Sequence, residues 1–149
     1  MFGGGGRAFS NPAYRIYWLG QLFHVQGIWI HRITAGWLIF ELTASPAWLG
    51  AIGFALAAPI LILAPLAGAV SDRIGHRRMA GFAVACGIPI VVVTATLTWA
   101  DLVTPFLLFI LMAAQSIFIS LEYPARQSLI PALVAPEHLK EAMGLNWAT

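Results

Sequence analysis

The stretch Gly68–Arg78, GAVSDRIGHRR, places one aspartate, three arginines and a histidine within eleven residues of a chain that is only 9% charged. The run that leads into it, Leu42–Ser71, has 30 residues without Asp, Glu, Lys, Arg or His. The run that leaves it, Met79–Ala100, has 22, and a third, Leu102–Leu121, has 20. A hydrocarbon core about 30 Å thick is crossed by about 20 apolar residues of helix. Each run is therefore long enough to span a bilayer, and the charged stretch is the joint between two spans.

Hydrophobic residues make up 60% of the 149, well above the roughly 45–50% of a soluble domain. Barrel strands would alternate polar and apolar residues over about ten positions, and these runs do not alternate. The chain reads as an all-α, multi-pass membrane protein. Its first residues hold a tetraglycine and Arg7 with no separate apolar core or cleavage site, so they do not read as a signal peptide. The tetraglycine lacks the Gly-Lys-Ser/Thr of a phosphate loop. Cys86 stands alone in an apolar run and reads as a packing residue.

Four spans follow: about Tyr14–Phe40, Trp48–Val70, Met79–Trp99 and Thr104–Leu121, three of them with a proline near the start. Residues 1–13 then form a short N-terminus and residues 14–121 a four-helix membrane part. Residues 122–149 form a proline-bent connector and the start of a fifth helix. Arg7, Arg15, Arg73, Arg77, Arg78, Arg126 and Lys140 fall on one side, whereas the connections ELTASP and ADLVTP hold no Lys or Arg. The positive-inside rule makes the arginine side cytoplasmic, which puts the N-terminus inside a plasma (inner) membrane. A net charge of +2 made of membrane-edge arginines gives no sign of a nucleic-acid partner.

Written as Gly-x-x-x-Asp-Arg-x-Gly-x-Arg-Arg, residues 68–78 resemble the signature loop between helices two and three of the major facilitator superfamily. YWLGQL and GWLIFELTASPAWLG resemble the first helix and following turn of its bacterial drug and siderophore exporter branch, the group containing the enterobactin exporter. YPARQSLIPALV resembles that branch's loop after helix four. The resemblance implies a gating motif of Gly68, Asp72, Arg73, Gly75, Arg77 and Arg78. Gly68 would allow close helix approach and Gly75 a tight turn. Asp72 would face a helix N-terminus in a second half of the transporter. Arg73 and Arg77 would hold carboxylates at neighbouring helix ends, with Glu122 a candidate and Arg126 beside it. His76 stands where the family has a basic residue, which makes that link weaker or pH-dependent.

The first span is the one with ionisable groups at membrane depth. At 100° per residue, Gln21, His24, His31 and Arg32 fall within an arc of about 100°, and Gln26 lies off it. A charge at the bilayer centre costs about 2.5–3.5 kcal/mol on insertion scales, so this face needs a wet or paired surface. In the superfamily, helices one and four line the central cavity and helix three lies outside. Gln115 and Ser116 on helix four fit that layout, as do the aliphatics and threonines of helix three. The substrate cavity is accordingly assigned to Gln21, His24, His31, Arg32 and Gln115, although Ile28 stands where the branch often has a small or polar residue. The plainer reading of the same face is helix–helix hydrogen bonding.

The function implied is secondary active efflux of a drug-like or siderophore-like small molecule by alternating access, with proton coupling through an imidazole or Glu122. Arg32 favours an anionic or carbonyl-rich substrate. Such transporters have about twelve helices in two halves of 3+3 inverted repeats around a midplane site. This chain then corresponds to part of one half, whose partners are the lipid bilayer, the small-molecule substrate and the C-terminal half. No cofactor or metal is implied. Two other classes are a small standalone membrane protein assembling through its helices and an intramembrane enzyme. The second lacks a Glu-x-x-His motif or an acid beside His24 and His31.

Overall fold

The computed structural model describes residues 12–133 and 143–144. Helix α1 runs Pro12–Thr43, α2 Pro46–Ile74, α3 His76–Trp99 and α4 Pro105–Gln127, followed by a single turn, α5, Ile130–Leu133. All regular structure among the described residues is helical. Pro12, Pro46 and Pro105 each open a helix, where a missing N–H costs nothing. Thr104 caps α4, its Oγ1 accepting from Leu107 N at 3.3 Å.

By length and composition, α2, α3 and α4 can each cross a membrane. With 32 residues α1 is long enough, but His24, His31 and Arg32 dilute its apolar character and it does not join those three. Residues 1–11, expected to be cytoplasmic, Lys140 and most of the expected fifth helix lie outside the described residues; Met143 and Gly144 are helical.

Two differences from the sequence reading bear on the site. The charged stretch is not an extended loop. Helix α2 continues through Asp72 and Arg73 to Ile74, α3 starts at His76, and Gly75 alone separates them. The bent connector expected from Glu122 onward is helix as far as Gln127, with Pro124 inside it. An interior proline removes one backbone hydrogen bond and bends a helix without ending it when neighbouring groups hold the turn. Here Arg126 reaches back one turn to Glu122 across the proline.

The chain divides into two compact units, one of them His31–Arg126 and the other drawn from residues before His31 and after Arg126. In the latter, Tyr14, Gln21 and Ile130 are buried, and the Tyr14 and Tyr17 rings lie 6.3 Å apart. In His31–Arg126 the core gathers Ala35 and Ile39 of α1, Ile52 and Ala55 of α2, and Leu108 and Met112 of α4. It sits at the end where α1 turns into α2, remote along the helices from the arginine joint. That turn is held by Ala44 N donating to Phe40 O at 2.7 Å and Thr43 Oγ1 donating to Ile39 O at 2.6 Å. Elsewhere large apolar side chains face outward, Leu61 of α2 being 77% exposed. Lipid tails are as apolar as leucine, so these faces gain nothing by packing on protein.

Candidate functional site

The arginine joint is built on a backbone that only glycine adopts freely. Gly75 has φ +90°, and a Cβ there would meet no atom within 4 Å, so conformation rather than space selects the residue. Its N–H closes α2 on Ser71 O at 3.0 Å and its carbonyl opens α3 on Met79 N at 3.0 Å. Across this joint His76 meets two residues of the last turn of α2. Its Nδ1 lies 2.8 Å from Ser71 Oγ, and its Nε2 lies 3.7 Å from Asp72 Oδ1. Ser71 is buried and Asp72 exposed.

Arg73, Arg77 and Arg78 are exposed around the joint and make no ion pair among the described residues. Glu122, a candidate partner for Arg73 and Arg77, accepts from Arg126 Nη1 at 3.0 Å on its own helix, both side chains largely buried. The four-residue spacing on a continuous α4 favours this pair. Gly68 is half-buried, and a Cβ there meets nothing within 4 Å among the described residues, so no close approach occurs there.

Of the residues assigned to the cavity, Gln21 is buried and His24 half-buried in the first part of α1, while Gln26 is exposed. Further along, His31 and Arg32 are half-buried and belong to the His31–Arg126 unit. Gln115 is buried on α4, with its amide against α3 at Gly87, where a Cβ would sit 3.5 Å from Nε2. His31 Nε2 and Gln115 Oε1 are buried without a hydrogen-bond partner. A buried polar atom left unmet costs about 1–3 kcal/mol.

Three contacts escaped the sequence reading. Ser71 orients His76, and its signal was a hydroxyl four residues before the Gly75 joint. Gly87 admits Gln115, one small residue among many in α3. Ser116 was noted for its polarity, but its bond, Oγ donating to Leu56 O at 2.5 Å, ties α4 to α2. Leu56 directly follows Ala55, whose carbonyl loses its ladder donor at Pro59, so the hydroxyl bonds a stretch of backbone that the proline loosens. A second α3–α4 contact is the edge-on pair Phe82–Phe118, with ring centroids 6.5 Å apart.

A family model described as transmembrane secretion effector matches residues 6–148. The chain is 27% identical over 108 residues to the staphyloferrin A transporter of Staphylococcus aureus, covering 72% of this chain and 27% of that protein. It is 27% identical over 121 residues to the MFS-type transporter YfiS of Bacillus subtilis, covering 80% of this chain and 28% of that one. It thus spans about a quarter of the length of these curated relatives. No solved structure matches it significantly. With an all-helical architecture, three helices able to cross a membrane, and a family match over nearly its whole length, the chain belongs to the transmembrane secretion effector family of major-facilitator transporters.

Proposed function

We propose that the chain is the N-terminal part of a secondary active exporter for a drug-like or siderophore-like small molecule, working by alternating access with proton coupling. The observation that carries this reading is the glycine-hinged joint of Asp72, His76 and three exposed arginines in a chain of this family. Residues 14–121 are its four-helix membrane part, with α1 as the fourth span, and residues 122–149 lead to further helices. The N-terminus lies in the cytoplasm and the protein in the inner membrane. Seven of the eight basic residues on one side of the apolar runs support that orientation.

The exposed Arg73, Arg77 and Arg78 are free to meet carboxylates elsewhere in the transporter while the cytoplasmic side is closed. Asp72 bears on a helix N-terminus in the same state. Contacts present in one state only bias the equilibrium toward it. By the sequence pattern the passage residues are Gln21 and His24 in the one unit and His31, Arg32 and Gln115 in the other. Two of these, His31 and Gln115, hold buried polar atoms that lack partners. A relative that transports staphyloferrin A supports a siderophore-like cargo, and the cation at Arg32 suits an anionic one.

Export assays in cells expressing the transporter test this. Arg32→Ala is expected to abolish efflux of an anionic substrate at unchanged protein level, and unchanged efflux would remove Arg32 from the passage. Gene sequence downstream of Thr149 that encodes further spans supports the partial-transporter reading; a stop codon there favours a standalone membrane protein.

A further inference from the structure

Ser71 and Asp72 are adjacent on α2, yet both reach the same imidazole on α3. We propose that His76 is the positioning residue for the Asp72 carboxylate, a protonation-dependent clasp between the last turn of α2 and the first turn of α3. The reading rests on the proposed gate only for its consequence in transport, since the clasp itself is a local property of the joint.

The tautomer follows from the hydrogen-bond network. If Nδ1 of the neutral ring donated to Ser71, the lone pair of Nε2 would face a carboxylate 3.7 Å away, which is repulsive. The favoured arrangement has Ser71 Oγ–H donating to Nδ1 at 2.8 Å and the ring proton on Nε2, toward Asp72. At 3.7 Å this is too long for a neutral hydrogen bond, so the uncharged ring orients Asp72 only weakly. Proton uptake changes both contacts. Nδ1 becomes a donor, and the Ser71 hydroxyl turns to accept, so that bond survives with reversed polarity. Nε2–H now carries positive charge toward Asp72 Oδ1, and the weak contact becomes an ion pair.

The charged groups at this end are Asp72 and Arg73 on α2, Arg77 and Arg78 on α3, and Glu122 with Arg126 on α4. Glu122 and Arg126 are bonded to each other. Asp72 is the carboxylate within 4 Å of the ring among the described residues. At low pH the clasp holds Asp72 against its own corner; at high pH it frees the carboxylate for an outside partner. An arginine in this position would hold Asp72 at every pH, so histidine makes the hold conditional.

The test reads the corner directly in the full chain reconstituted in lipid vesicles. A spin label is attached at Ile74→Cys, an exposed site beside the joint, with Cys86→Ala removing the native thiol. Between about pH 8 and about pH 5.5, the mobile fraction is expected to fall about twofold, the scale of one exposed ion pair. His76→Arg keeps the low-mobility signal at both pH values, restoring the clasp without its switch. His76→Gln and Asp72→Asn stay mobile at both. Loss of the response in Asp72→Asn separates the clasp from a merely structural histidine. The proposal is overturned by a pH-independent signal in the His76 chain, or by a response that persists in His76→Gln or Asp72→Asn. Export by Arg32→Ala addresses the passage alone, so the two readings fail separately.

Discussion

Helices α3 and α4 are close in length, 24 and 23 residues, both apolar and both interrupted by a proline, yet they treat their polar side chains in opposite ways. On α3, Thr94, Thr96 and Thr98 each donate back to the carbonyl four residues earlier, at 2.8, 3.0 and 2.8 Å. Nothing polar on that stretch is left to interact with a neighbour. On α4, Gln115 keeps an unmet buried acceptor, Ser116 reaches across to α2, and Glu122 holds Arg126 in a buried pair. Self-contained polarity suits a helix that meets lipid. Outward-reaching polarity suits a helix that meets other helices, or a passage.

The largest test of this contrast lies at Glu122. Removing one partner of a buried ion pair costs about 3 kcal/mol because the other charge stays behind. Glu122→Ala is expected to show that loss in unfolding from lipid–detergent micelles, and the Glu122→Met/Arg126→Met double variant to recover much of it. A loss below about 1 kcal/mol, the scale of an exposed pair, would make this end of α4 no different from α3. Next comes the α3–α4 contact itself. Gly87→Leu drives a side chain into the Gln115 amide and should cost about 1–3 kcal/mol by overpacking. Gly87→Ala, whose methyl would rest 3.5 Å from Nε2 in ordinary contact, should be neutral or slightly stabilising, as alanine favours helix. Equal effects of the two would mean that Gln115 yields freely.

How much of this could be read from the sequence depends on the range of the interaction. The apolar runs were legible because membrane thickness imposes a length on them. The joint was legible as a motif, though not as a single residue between helices: Ser71 and Asp72 look like loop residues until the helix is seen to carry them to Ile74. Glu122 and Arg126 have helical spacing on the page, but Pro124 between them argued for a break. The pair that spans the proline is what tips that balance. Gln115 was assigned from its polarity on a helix that the family resemblance places at the cavity, and its contact with Gly87 joins residues 28 apart, which no local pattern encodes. At Gly68 a small residue suggested close packing, and the described residues place nothing within 4 Å of a Cβ there.

Two smaller effects sharpen the comparison at hydroxyl level. Ser116→Ala removes the bond to Leu56 O and should cost about 1 kcal/mol. Pro59→Ala restores the donor that the adjacent Ala55 O lacks and stiffens this backbone, so the loss should shrink in that background, a coupling that a double-mutant cycle measures. On α3 the expectation is the opposite. Thr96 is exposed and its hydroxyl bonds only to Val92 O and Val93 O on its own helix. Those carbonyls have backbone partners already, and valine keeps the branched shape. Thr96→Val should therefore change stability by less than about 0.5 kcal/mol, as for a surface position without special contacts. In the full-length exporter proposed above, the substitution should leave the transport rate unchanged. A marked loss of transport at normal stability would place a hydroxyl of α3 on the passage, and the division of labour between the two helices would have to be redrawn.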